Sequence, residues 1–137
     1  MKIKLIKFKE DLITPTRAHY NDAGLDCYAQ EDFVLKNIIK VPLGFGIVVP
    51  DGYMATIRPR SSMNAKGIIT QIGTIDSGYR GEICAIFINS MRDYDGDLCF
   101  KKGDKICQIV IEPVVLAEPV LELGEERGEG GFGSSGK

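Results

Sequence analysis

Apolar runs in this chain are short, rich in Ile, Val, Phe and Tyr, and interrupted every few residues by Gly, Pro, Asp or Asn. Phe33–Lys36, Phe45–Val49, Tyr53–Arg58, Glu82–Ile88, Leu98–Lys101 and Lys105–Ile111 each have the length and composition of a strand. Ile3 and Leu5 alternate with Lys2 and Lys4, the period-two pattern of a half-buried strand. Strands this short and this evenly spaced predict an all-β barrel or sandwich. Only Ser61–Lys66 reads as a helix. It is a turn or two long, with a serine to cap its start and Gly67 to end it in the left-handed conformation.

Glu82–Ile88 differs from the other runs because Ile83, Cys84, Ala85, Ile86, Phe87 and Ile88 make it apolar on both faces. A small barrel covers one face of a strand, so burial against another subunit is the natural cover for the second. After Leu123 the composition changes. Gly124–Lys137 holds six glycines, no Val, Ile or Leu, and one aromatic, Phe132. Such a segment cannot offset its backbone entropy by burial and is expected to be mobile until a ligand orders it. The expected organisation is a β-barrel domain over residues 1–123 and a mobile Gly-rich arm over 124–137. At 137 residues one such domain buries roughly two-thirds of the surface of its unfolded chain.

Lys plus Arg number 17 and Asp plus Glu 19, a net charge of −2. That balance lacks the basic excess of a duplex nucleic-acid binder. No apolar run has the length of a membrane span and the start has no signal-peptide core, so no membrane partner is expected. Cys27, Cys84, Cys99 and Cys107 form no C-x-x-C pair and the single histidine, His19, has no cysteine nearby, which argues against zinc. Cys84 and Cys107 lie in apolar runs and read as reduced core residues of a cytoplasmic protein. His19 reads as structural or solvated.

Two phosphate-loop patterns occur in the tail: Gly128, Gly130 and Gly133 fit G-x-G-x-x-G, and Gly131, Gly136 and Lys137 fit G-x-x-x-x-G-K. Both motifs work by leading a strand through the loop into a helix, and with the sequence reading only to Lys137 no such helix is expected. The glycines still allow a backbone to wrap an anion, with Arg127, Ser134 and Ser135 as added donors. A flexible linker explains the same composition.

Three further features carry chemistry. In Pro59-Arg60-Ser61-Ser62 a guanidinium, two hydroxyls and the first helical amides converge on one anion-binding point, although a capped surface turn with a solvated arginine would use the same residues. Gly73-Thr74-Ile75-Asp76-Ser77-Gly78-Tyr79-Arg80-Gly81 reads as a turn-rich hairpin with Asp76 and Tyr79 near its tip. Gln108 shares a strand face with Ile106 and Val110, where a polar side chain needs a partner or a ligand.

Taken in order, five segments resemble the five motifs of trimeric deoxyuridine triphosphatases: Ala23–Ala29, Pro59–Ser62, Gly73–Glu82, Gly103–Gln108 and Arg127–Gly136. The resemblance implies a distorted jelly-roll-like β-barrel of the β-clip type and hydrolysis of dUTP to dUMP and pyrophosphate by attack of water on the α-phosphorus. This activity limits uracil incorporation into DNA and supplies dUMP for dTMP synthesis. It implies Asp76 as the catalytic group that orients and deprotonates the water, and Tyr79 as the floor beneath the deoxyribose. The backbone around Ile72–Tyr79, including Gly73, Thr74 and Ile75, would read the uracil edge. Arg60, Ser61, Ser62 and Gln108 would hold the phosphates, with Asp26 beside the Arg60 and metal-water network. Arg127 would bind the γ-phosphate and Phe132 would cover the uracil, with Gly133, Ser134 and Ser135 completing the closing arm. Mg²⁺ would be held by triphosphate oxygens and waters, with no direct protein ligand, and the site would be shared among the subunits of a homotrimer.

Two positions depart from the family pattern: Gly78 stands where many members carry an acidic residue, and Ser62 where many carry glycine. A dCTP deaminase, which shares the fold, would need a glutamate in the strand after the hairpin, where this chain has Ile86. A catalytically silent trimer would have no use for Asp76, Tyr79, Arg127 and Phe132 together.

Overall fold

Extended backbone accounts for nearly every regular element. The computed structural model describes residues 1–91 and 97–124, and the predicted arm residues 125–137 lie outside it. The strands are β1 (Lys4–Lys7), β2 (Gly24–Tyr28), β3 (Phe33–Leu35), β4 (Ile38–Pro42), β5 (Phe45–Val48) and β6 (Tyr53–Arg58). After the helix α1 (Ser61–Ala65) come β7 (Ile68–Thr70), β8 (Thr74–Ile75), β9 (Cys84–Asn89), β10 (Leu98–Phe100) and β11 (Lys105–Pro113). All pairings are antiparallel. Sheet orders are β2-β11-β6-β8, β4-β9-β7, β1-β5 and β10-β3. The result is the predicted all-β, jelly-roll-like fold.

The core gathers alternate residues from all these sheets, including Leu35, Phe45, Ile47, Ala55, Ile57, Phe87, Cys107 and Ile109. Burying a side chain such as Phe87 or Ile109 contributes about 1.5–3 kcal/mol each relative to exposure. On β9 only Ala85 and Phe87 are fully buried within the chain; Cys84, Ile86 and Ile88 on the other face are half-buried. Beside them in the register stand Ile38, 63% exposed, and Ile69, 50% exposed. The doubly apolar strand thus has one face in the core and one in an apolar strip on the outside.

Four details differ from the sequence reading. The helix is capped at Arg60, with extended φ −93° and ψ 145°, and no serine side chain caps it; Gly67 does end it at φ 73°. Residues 73–83 do not form a self-paired hairpin. One limb, β8, pairs with β6, while Ile83 exchanges bonds with Phe45 and Leu43 at 2.9 Å each. A bulge between Lys105 and Cys107 turns both Ile106 and Cys107 into the core, so Gln108 does not share a face with Ile106. Finally, Cys84 is half-buried where Cys27 and Cys107 are fully buried; these last two stand opposite each other across β2 and β11 as free thiols.

Candidate active site

The sheet β2-β11-β6 sets three polar residues in one row, because Asp26 pairs with Gln108 and Gln108 with Arg58. Where β6 ends, Pro59 turns the chain and Arg60 swings back over the row. Arg60 Nε stands 3.6 Å from Asp26 Oδ1, and Lys105 Nζ 3.3 Å from Asp26 Oδ2. Arg60 Nη1 also donates to the Lys105 carbonyl at 3.1 Å and to Ser62 Oγ at 3.4 Å. Asp26 keeps only 17% side-chain exposure and is fixed between two cations. Beside it opens a cleft of about 440 Å³ walled by Arg60, Ser62, Lys66, Asp104 and Lys105. Its cationic character comes from side chains, since a five-residue helix contributes little dipole.

Lys66 and Lys105 were not foreseen as part of this cleft. Their signal was available, since Lys105 lies inside the Gly103–Gln108 segment and Lys66 four residues after Ser62. Gly103 at φ 92° forms the turn Lys101–Asp104, closed by Asp104 N–H to the Lys101 carbonyl at 2.9 Å, and that turn launches β11 with Lys105 at its head.

Gln108 is half-buried and its Nε2 donates to the Pro59 carbonyl at 3.0 Å. Its side chain lies over Gly24. A methyl group there would overlap Gln108 Oε1 and stand 3.0 Å from Cδ, so the amide would have to leave this position.

The second group of predicted residues assembles elsewhere. Gly73, Thr74, Ile75, Asp76 and Tyr79 line a cleft of about 280 Å³ that shares no lining residue with the cationic one. The Tyr79 amide closes a turn on the Asp76 carbonyl at 3.1 Å, and Arg80 Nη1 clamps the turn through the Ser77 carbonyl at 2.6 Å. Asp76 is exposed at the cleft mouth. Tyr79 Oη donates to the Glu82 carbonyl at 3.0 Å, and Glu82 Oε2 accepts from the Gly44 amide at 3.1 Å. Among the described residues β8 is the outermost strand of its sheet, so its edge offers backbone donors and acceptors to the cleft. Among the described residues nothing lies within 4 Å of the missing side chain of Gly78, and it has no left-handed backbone, so the described structure gives no reason for a glycine here.

Arg127, Phe132, Gly133, Ser134 and Ser135 lie outside the described residues. His19 is exposed, with Nδ1 3.1 Å from Asp22 Oδ2, and Ser61 is exposed beside Arg60. Among the described residues no three His, Cys, Asp or Glu converge as a metal cage, and no helix is long and apolar enough to cross a membrane.

The dUTPase family model matches residues 10–136. The chain belongs to the dUTPase family. Deoxyuridine 5'-triphosphate nucleotidohydrolase of Clostridium tetani is 45% identical over 148 residues, spanning 100% of this chain and 97% of that protein. The Staphylococcus bacteriophage 80alpha dUTPase solved with dUPNHPP has a TM-score of 0.83 at 27% identity over 99% of both chains. A D95N dUTPase from phage phi11 of S. aureus, studied for its structural Mg(II) ion, shares the fold at TM-score 0.78 and 24% identity, over 93% of this chain and 99% of that one. The dUTPase match takes in both clefts and every site residue read from the sequence.

Proposed function

We propose that this chain hydrolyses dUTP to dUMP and pyrophosphate, at sites built between the subunits of a homotrimer. The observation that carries the reading is the separation of Gly73, Thr74, Ile75, Asp76 and Tyr79 in one cleft from Arg60 and Ser62 in another. The first also holds Lys40 and Glu82, and the second gathers Arg60, Lys66 and Lys105 beside Asp26 and Gln108. The first suits a base and sugar, the second a triphosphate. Neither is a complete nucleotide site by itself, and a three-fold assembly brings the first cleft of one chain to the second of another. The outer face of β4-β9-β7, with Ile38, Ile69, Ile86 and Ile88, supports the assembly because water is a poor cover for it.

In this reading the free edge of β8 pairs with the uracil. Uracil and cytosine present opposite donor and acceptor patterns at their 3 and 4 positions, and a site built for one pattern rejects a mismatched partner by up to ~10⁴-fold. The phenol ring of Tyr79 packs under the deoxyribose and leaves no volume for a 2′-hydroxyl. Arg60, Ser61, Ser62 and Gln108 take phosphate oxygens, and Lys66 and Lys105 add charge around them. Asp76 holds the attacking water and accepts its proton as the bond to the α-phosphorus forms and pyrophosphate leaves. The arm residues Arg127, Phe132, Gly133, Ser134 and Ser135 close over the nucleotide and exclude water.

Mg²⁺ fits this chemistry. The donors beside the cationic cleft are hard oxygens, and Asp26 is already held in place by Arg60 and Lys105, as suits a carboxylate that accepts from metal-bound waters. When bound on the triphosphate, the ion neutralises its charge; the protein's share is to orient it. A deaminase would need a glutamate where this chain has the apolar Ile86, and the nearby Glu82 is engaged with the Gly44 amide.

The test is an assay of the purified protein with Mg²⁺ and dUTP, UTP, dCTP or dTTP, identifying products by chromatography. Rapid conversion of dUTP alone to dUMP and pyrophosphate is expected. Equal turnover of dCTP, or release of ammonia, would refute the reading.

A further inference from the structure

Tyr79 is held by a surface outside its own turn. Its hydroxyl donates to the Glu82 carbonyl at 3.0 Å, and its ring lies against Gly81. A methyl group on Gly81 would overlap the tyrosine hydroxyl and stand 2.7 Å from Cζ and 3.1 Å from Cε2. Behind Gly81 stands Gly46 of β5, where a methyl group would approach the Gly81 carbonyl oxygen to 2.6 Å and Phe8 Cε2 to 3.1 Å. Neither glycine has the left-handed backbone that Gly44, Gly52, Gly67 and Gly103 adopt. Backbone conformation therefore does not explain them. Close approach does: β5 admits the backbone of Gly81, and Gly81 admits the ring.

The geometry points to Gly81 and Gly46 as positioning residues that set the sugar specificity of the site by seating the Tyr79 ring. The inference rests on the assignment of Tyr79 to the deoxyribose. Nothing about Gly81 or Gly46 touches the reacting atoms; both act through the height at which the ring lies. The seat is rigid because its two halves are tied together. Ile83 N–H donates to the Phe45 carbonyl and Leu43 N–H to the Ile83 carbonyl, both at 2.9 Å, and Glu82 Oε2 holds the Gly44 amide. A ring lifted off Gly81 moves into the space meant for the sugar and loses its fixed distance from C2′.

The test compares kcat/KM for dUTP and UTP, with Mg²⁺, in the full-length wild type and in the variants Gly81→Ala, Gly46→Ala and Tyr79→Ala, with melting curves to establish folding. The preference for dUTP over UTP should fall by roughly tenfold or more in Gly81→Ala, a pocket-shape effect of ordinary size. Gly46→Ala, one contact further back, should fall in the same direction by less. In the Tyr79→Ala background, Gly81→Ala should change the preference no further, because the ring it displaces is gone. A folded Gly81→Ala protein with the wild-type preference would overturn the inference, and so would an additive loss in the double variant. If Gly81→Ala alone fails to fold, the double variant must fold, since the obstructing ring is absent; failure of both overturns the seat. A Tyr79→Ala protein that keeps the wild-type preference would instead refute the assignment of Tyr79 to the sugar.

Discussion

The side chain of Gln108 lies across the bare Cα of Gly24, one strand away, and donates from Nε2 to the Pro59 carbonyl at 3.0 Å. One glycine in β2 thereby fixes a polar group of β11 against the turn that carries Arg60. Gly24→Ala should push the amide off this seat. A lost hydrogen bond to a charged group costs about 1.5–3 kcal/mol, so kcat/KM for dUTP should fall about tenfold or more while the protein still melts cooperatively. Adding Gln108→Ala to Gly24→Ala should cost little more. Wild-type kinetics in a folded Gly24→Ala protein would show that Gln108 needs no such seat.

Asp76→Asn keeps the shape of the residue and removes its basicity. Turnover should drop by about 10²–10⁴-fold, the usual contribution of a general base, with affinity for a non-hydrolysable dUTP analogue retained. Calorimetric binding together with steady-state rates checks both halves. A near-normal kcat removes Asp76 from the proton-transfer step.

Much of this arrangement was legible in the sequence, and the exceptions have physical reasons. β5, β6 and β11 were readable because their Ile, Val and Phe residues follow strand patterning. β2 was not, since Gly24 and Asp26 are poor strand formers kept there for contacts with Gln108, Arg60 and Lys105. β4 was obscured by Lys40 and Pro42. Asp76 and Tyr79 were legible as neighbours in one turn-rich segment, and their roles came from the family resemblance, but that Tyr79 rests on Gly81 and Gly81 on Gly46 of β5 is a tertiary fact that no local pattern encodes. The bulge at Ile106, which redirects Gln108, is equally silent in the sequence.

The separation of the two clefts predicts complementation. In the proposed trimer, subunits carrying Asp76→Asn would lack water activation in one cleft, and subunits carrying Arg60→Ala would lack the cationic clamp in the other. Each homotrimer should be nearly inactive, while mixed trimers formed by refolding the two together should recover measurable activity. Mixed trimers, verified by mass, that remain inactive would place both clefts' contributions within one chain.

Stability should depend on acid through Glu112. Arg58 Nη2 bonds its Oε1 at 2.8 Å and the Thr56 hydroxyl donates to the same oxygen at 3.1 Å. The Arg58 guanidinium first, then the Thr56 hydroxyl, hold this carboxyl below the usual glutamate range. With the folded pKa below the unfolded one, the stabilisation is complete above the ordinary glutamate value of about 4.3 and is lost as pH falls through the folded value. Glu112→Gln should therefore lower Tm at neutral pH, and the gap to wild type should close on acidification below about pH 4. A gap that stays constant with pH would contradict this role of the carboxylate.

The bond that breaks is the centre of the account, and isotope placement reads it directly. Turnover of dUTP in ¹⁸O-labelled water, with mass analysis of both products, should place the label in dUMP and leave pyrophosphate unlabelled, as the proposed attack of an Asp76-held water on the α-phosphorus requires. Label in pyrophosphate, or release of orthophosphate as the first product, would contradict it.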